Sequence, residues 1–477
     1  IVAANRTLVS YKYKRSSQEG NDEEKEDVMS TMTYGNNYKY DYEYDDKDNV
    51  TAIKKDNKLA YEMTYDANNN MTKQVDKLNG ITYEYEYDGE GNVKSVKGSD
   101  GFNISYVNKK SETIEEDGDS ITKGEYGTGY IDGDVTRVCN TTTKENTTDK
   151  ITQTTTLLID KNTIEYVVNE NSNTEIKTIK DKDGNNLVYT ITETDDDGNQ
   201  EVRNINGDNL TYKYDENDNI ISIESSDGSS VTYKYDELEQ LVRENDSKAG
   251  TTTIYTYDKG GNITSQKVYA YTEGEVSGTP TKTKTYEYKD SNWRDLLTSY
   301  NGKSITYDEI GNPIQYRDGY NFTWTNGRSL KNVKKGDTST SYKYNKDGIR
   351  TEKTVNGKKT KYQLEESNIV KETSEGQTIW YIYDGNGELT GFELNGTSYY
   401  YDKNLQDDIT GIYDTKGAKV VTYRYDAWGN IVSIDGDEEL AKKNPFRYRG
   451  YYYDEEIGLY YLNSRYYDAE VGRFVNA

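Results

Sequence analysis

Apolar and polar residues alternate along most of this chain, and tyrosine carries the alternation. Tyr42-Glu43-Tyr44, Tyr85-Glu86-Tyr87, Tyr212-Lys213-Tyr214, Tyr233-Lys234-Tyr235 and Tyr255-Thr256-Tyr257 each place two rings around one polar residue. In an extended segment those rings share one face, because successive side chains point to opposite sides. Each segment runs into an Asp, and four of them continue into turn residues: Asp48-Asn49, Gly91-Asn92, Asp218-Asn219 and Gly261-Asn262. Such residues tolerate the positive φ that hairpin turns need. An aliphatic residue such as Val50, Val93 or Ile220 then restarts a strand. Each unit therefore predicts a hairpin.

The unit recurs. Tyr44, Tyr65 and Tyr87 stand 21 and 22 residues apart, as do Tyr214, Tyr235 and Tyr257. A fixed period of this size marks a repeat architecture. Residues 1–33 read as a lead-in, with a strand over 7–14 and a polar acidic stretch over 16–27 that suits a solvated loop or short surface helix. The start carries no signal peptide and no initiator Met, so the chain reads as a piece of something longer. Residues 34–100 and 211–435 read as repeats. Residues 101–210 keep the alternation and turn signals such as Asp183-Gly184-Asn185 and Asp197-Gly198-Asn199 in degenerate form; more hairpins are expected there, with an inserted small β domain as the alternative. Residues 436–477 read as a terminal module. Residues 437–443, acidic first and basic last, predict one helical turn.

Composition changes this picture in two ways. Hydrophobic residues make up only 32% of the 477, and 50 of them are Tyr. The aliphatic pool is thin enough to suggest disorder, but patterned tyrosines can bury rings while their hydroxyls reach partners. The net charge of -26 repels phosphate backbones and anionic lipid, so neither nucleic-acid binding nor membrane insertion is expected. No apolar stretch reaches the ~20 residues that span a bilayer.

Candidate chemistry is sparse. With no histidine, Ser-His-Asp, Cys-His and His-zinc arrangements are excluded. Cys139, the single cysteine, allows no internal disulfide and reads as a strand residue. The Asp of each Tyr-Asp unit reads as a turn former. Asp215-x-Asn217-x-Asn219 opens like a calcium loop, yet Gly is missing at the sixth position and Ser226 stands at the twelfth. Arg447, Arg449, Arg465 and Arg473 cluster near the end of the chain and are expected to pair with Asp454, Asp468 and nearby acids, or to stack on Tyr rings. No catalytic, cofactor-binding or metal-binding residue is assigned.

The last stretch is the most distinctive. Two Tyr-Asp-x-x-x-Gly units, Tyr453-Asp454 with Gly458 and Tyr467-Asp468 with Gly472, flank Leu459-Tyr460-Tyr461-Leu462 and Arg465. This resembles the core module that ends the array of Rhs and YD-repeat proteins. The wording of Asp426-Ala427-Trp428-Gly429-Asn430 and of 444–454 looks most like secreted Rhs-type, wall-associated toxins of Firmicutes. The resemblance implies an all-β fold. YD-repeat hairpins would form a long sheet that spirals into a hollow shell, and the module would curl inward as a plug. About 20 hairpins are too few for a large closed cocoon, so a partial or small shell is expected. The resemblance further implies a non-enzymatic structural role, a C-terminal toxin as partner, no cofactor, and a secreted or cell-surface bacterial location. The toxin and a self-cleaving aspartate pair would lie beyond Ala477. Two alternatives stand beside it: adhesion to a cell wall or glycan surface, and membership of a shell that cleaves itself in the parent protein.

Overall fold

The structure, a computed structural model, describes residues 2–3, 6–16, 26–116, 119–133, 135–147, 150–157, 162–169, 172–204 and 209–476. Most of the acidic stretch 16–27 lies outside them. The described residues are almost all strand. A helix, Glu438–Lys443, is capped by Asp437, whose carboxylate accepts the Leu440 N–H.

The strands form a two-stranded pair, Val2–Ala3 with Arg6–Thr7, two antiparallel ribbons and a small terminal sheet. The first ribbon runs in chain order from Val9–Arg15 to Lys303–Ser304, and its described register pairs join sequence neighbours. Residues 102–204 continue this ladder without interruption and supply its longest strands, Phe102–Glu116 and Asp119–Asp132. Cys139 sits in the strand Val135–Asn146. The second ribbon runs from Thr306–Tyr307 to Ile431–Gly436. Tyr452–Asp454, Leu459–Leu462, Arg465–Asp468 and Arg473–Phe474 make the terminal sheet.

One local device builds both ribbons. Asp45 accepts the N–H groups of Lys47 and Asn49 at 3.0 and 2.9 Å on one carboxylate oxygen, and the Asn49 side chain at 3.0 Å on the other. Asp48 between them has φ 62°. Asp66, Asp88, Asp215, Asp308 and Asp426 repeat the pattern. Asn345 replaces Asp in one unit and accepts the same two N–H groups. The tyrosine before the Asp reaches back to the preceding unit. Tyr65, Tyr235, Tyr257, Tyr344 and Tyr425 donate their hydroxyls to the carbonyls of Val50, Ile220, Leu241, Leu330 and Ile409 at 2.7–2.9 Å. The Asp thus shapes each hairpin, and the Tyr fastens it to its neighbour.

The ribbons lie side by side and run the same way. Asn36 donates to the Gly327 carbonyl, Asn79 to that of Tyr344, Lys177 pairs with Glu388, Asn204 donates to Asp402, and Arg424 pairs with Asp246. Between the first and last of these contacts lie 18 strands of the first ribbon and 10 of the second. At ~4.8 Å per strand these are arcs of about 85 and about 50 Å. The strip is therefore a spiral that tightens toward its end.

The tight turn holds the main core. Its largest apolar cluster draws entirely on residues 263–475, including Phe322, Phe392, Tyr423 and Leu459. A smaller cluster of Phe102, Ile104, Tyr130, Val370 and Trp380 is built from both ribbons.

Candidate functional site

The terminal module sits inside the tight turn. Arg317, Arg350, Tyr362, Tyr381, Tyr401 and Gly429 of the second ribbon, with Lys284 of the first, each touch it. Eleven strands of the second ribbon, Tyr320–Thr325 to Lys419–Tyr425, lie between Arg317 and Gly429, which is about 50 Å of sheet. Four short strands cannot reach both ends of a flat sheet that wide. The ribbon curls around the module, which is the inward plug that the family resemblance implied.

Two buried ionic centres anchor the plug. Asp454 is fully buried; one oxygen takes Arg350 Nη1 at 2.6 Å and the other takes Lys353 Nζ at 2.9 Å. Burial pushes the Asp454 carboxyl up, but Arg350 and then Lys353 outweigh it and hold the group below its ordinary value. Arg350 is itself wholly buried. Its guanidinium carbon lies 4.2 Å from the Tyr461 ring centre, 4.7 Å from Tyr452, 4.9 Å from Tyr362 and 5.4 Å from Tyr342. Its Nε and Nη2 find no hydrogen-bond acceptor, and the ring faces supply the negative charge instead. Beside this cage burial pushes the Glu372 carboxyl up, and it accepts the hydroxyls of Tyr381 and Tyr452. At the second centre Arg317 grips fully buried Asp468 with two parallel bonds of 2.5 and 2.7 Å, the strong forked geometry.

This corrects the expected pairing for the two aspartates, while the pairing with a nearby acid stands in Arg447 and Glu455. Asp454 and Asp468 are held by cations of the second ribbon, not by the four arginines of the module. The stacking half of the expectation stands. Arg447 lies over Tyr453 and pairs with Glu455, Arg449 lies over Tyr448, Arg465 over Phe474, and Arg473 over Tyr288. The reason is in the turn. In a Tyr-Asp-x-x-Gly-Asn unit the carboxylate is used up by the turn's own N–H groups. In Tyr453-Asp454-x-x-x-Gly458 the main-chain carbonyl of Asp454 closes the turn, accepting from Ile457 and Gly458, and the carboxylate is free to face the ribbon. Arg350 carried a signal in the sequence: it stands where Val50, Val93, Ile220, Ile263 and Ile431 stand in other units. Arg317 carried none.

Gly429 shows how closely the module fits. Its φ is 86°, and a Cβ there would collide with the Tyr448 ring. Asp215 spends its oxygens on the N–H groups of Asn217 and Asn219 and on the Asn219 side chain, which leaves a turn in place of a calcium loop. No group of three or more His, Cys, Asp or Glu side chains is arranged for a metal among the described residues, and no described helix is long and apolar enough to cross a membrane.

Known proteins place this architecture. Residues 368–477 match the Teneurin YD-shell family model, and residues 65–102 and 214–249 match the RHS Repeat model. These segments are Rhs and YD-shell repeats. Over 235 residues it is 37% identical to the tRNA3(Ser)-specific nuclease WapA of Bacillus spizizenii and to the tRNA nuclease WapA of Bacillus subtilis. Each match covers 48% of this chain and 10% of the relative, so the YD-repeat chain spans about a tenth of the curated relatives it matches. In shape it is similar to the crystal structure of TcdB2-TccC3-TEV, with a TM-score of 0.50 at 14% identity, covering 98% of this chain and 29% of that one. At that identity the likeness concerns the fold.

Proposed function

We propose that this chain is the tapering end of a repeat-built β-shell, closed by its own terminal module, and that the shell encloses and presents a C-terminal polypeptide toxin for delivery to competing cells. The observation that carries the reading is the second ribbon wrapped around a plug anchored by Arg350–Asp454 and Arg317–Asp468. Two anchors buried to this degree resist release, because pulling one partner away leaves the other buried and unpaired. The nuclease names of the WapA relatives describe those proteins; under this reading the killing chemistry belongs to sequence outside these repeats, and the repeats are a container at the cell surface or in secreted form.

The test is a protein extended past Ala477. Protease added to the folded protein should leave the added segment intact, and the same protease should digest it once the shell is unfolded. Electron microscopy should show density enclosed by the spiral. An added segment digested at the same rate before and after unfolding, or a solid particle with no interior, overturns the proposal.

A further inference from the structure

Where the two ribbons and the module meet, a cavity of about 650 Å³ is lined by charged groups from all three, Glu244, Asp246, Lys284, Asp426 and Glu470 among them. Most of these charges are matched. Asp246 pairs with Arg424 at 2.8 Å, Glu470 with Lys284 at 3.3 Å, and on the far wall Arg317 with Asp318 at 2.7 Å. Glu244 and Asp426 differ: among the described residues neither has a cation within ion-pair distance. Glu244 is only 5% exposed. Its carboxyl spans the seam, taking the Ala427 N–H of the second ribbon at 3.1 Å and the Tyr255 hydroxyl of the first at 3.0 Å.

We infer that the seam at Glu244 and Asp426 is a proton-operated latch: it stays closed while Glu244 carries a proton, and when that proton leaves, the seam opens and loosens the terminal module with it. The inference does not depend on what the shell holds.

The surroundings of Glu244 give the direction. Its own strand supplies Asp246, while Arg243 points elsewhere, bonding Asn245 and the carbonyls of Thr272 and Gly274. The flanking strands supply Tyr233, paired with it in register, Tyr235 and Tyr255. The second ribbon supplies Asp426, with Arg424 already committed to Asp246; Lys284 acts on Asp426 and is tied to Glu470. Burial, then Asp426, push the Glu244 carboxyl up to about 8. An opened seam would hydrate Glu244 and return it to the ordinary carboxyl range. The closed form therefore binds the proton more tightly. Its advantage is complete below the ordinary carboxyl value, fades as pH rises from there to about 8, and is gone above that.

The module would follow because residues 426–430 hold it too. Tyr448, Tyr460 and Tyr467 donate to the carbonyls of Ala427, Gly429 and Trp428, and the Asn430 side chain donates to the carbonyl of Ala469.

Hydrogen exchange of the full chain between pH 6 and 9, corrected for intrinsic exchange, tests the latch. In the wild type, opening at 241–246 and 424–430 should increase with pH, about tenfold for each pKa unit that opening relieves, and 452–474 should follow. Glu244→Gln keeps the shape and removes the proton, and should flatten the profile. Tyr255→Phe removes a donor that favours the ionised form, so opening should keep rising and level off at a higher pH than in the wild type. A wild type with constant protection across this range, or a Glu244→Gln profile as steep as the wild type, overturns the latch. Should Glu244→Gln fail to fold, an unshifted Tyr255→Phe profile does the same.

Discussion

The first and second ribbons use the same unit and bury it differently. In the first ribbon Asp27–Tyr34 and Lys39–Tyr44 stay half-buried along their length. In the second, every residue of Leu389–Leu394 is buried, as are the four central residues of Gln377–Tyr383. Tyr13 of the first ribbon is 59% exposed, whereas Tyr423 of the second is 1% exposed. Turn chemistry is shared, so the difference lies in what covers each face. The tight turn has the module on its inner side, and the wide turn has none over much of its length. A YD unit is thus a hairpin specification only; burial comes from curvature and from the plug.

That contrast can be broken most severely at Arg350. Arg350→Ala leaves Asp454 buried beside Lys353 alone and should cost about 3–5 kcal/mol, read as a lowered melting temperature and faster tryptic release of the terminal module. Arg15→Ala, which removes an exposed pair with Asp27 in the first ribbon, should change stability by less than about 0.5 kcal/mol. Equal effects would show that the plug does not anchor the tight turn. Phe392→Ala empties a fully buried site and should cost about 3–4 kcal/mol, against less than about 0.5 kcal/mol for Tyr13→Ala; denaturant titration of both variants checks this.

Tyrosine hydroxyls give a finer comparison. Tyr344→Phe removes a buried donor from the Leu330 carbonyl and should cost about 1–2 kcal/mol, whereas Tyr65→Phe, whose bond to Val50 is partly wetted, should cost about half as much. Thermal melts resolve that ratio. Acid gives the smallest effect per residue. The turn carboxyls Asp66, Asp88 and Asp215 are held below their ordinary value, by the backbone N–H of Asn70 and Asn219 for the first and third and by the Asn92 side chain for the second. A lowered folded value means stability that is present above the ordinary carboxyl range and is lost as pH falls through the folded value. Hydrogen exchange from pH 5 to 2 should show a gradual loss of protection in the first ribbon, where all three stand. A sharp transition confined to the second ribbon would place the acid-sensitive groups in the plug. Glu244 has the opposite sign, so the seam should weaken toward alkaline pH while the turns weaken toward acid.

Much of this was legible beforehand, and the limit falls in a consistent place. Asp45 and Asn49 are four residues apart, and Tyr65 reaches Val50 across fifteen. Contacts this short in sequence follow from strand periodicity and turn preference, and they make hairpins and fasten each to the next. The helix start at Asp437 belongs to the same class. Arg350 and Asp454 are 104 residues apart, and Arg317 and Asp468 are 151 apart. Such partners depend on how far the strip has curled when the chain returns, and a module with four arginines of its own offered nearer candidates.

By itself the sequence determined a Tyr-Asp array of antiparallel hairpins ending in a distinct aromatic module. The tertiary structure alone decided that the strip tightens from 18 strands to 10 over one shared arc, which cations seat the module, and that Glu244 is left at the seam without one among the described residues. Local hydrogen bonds recur from unit to unit and can be read one unit at a time. Curvature accumulates over the whole strip, and small twists summed across many strands decide which distant charges meet.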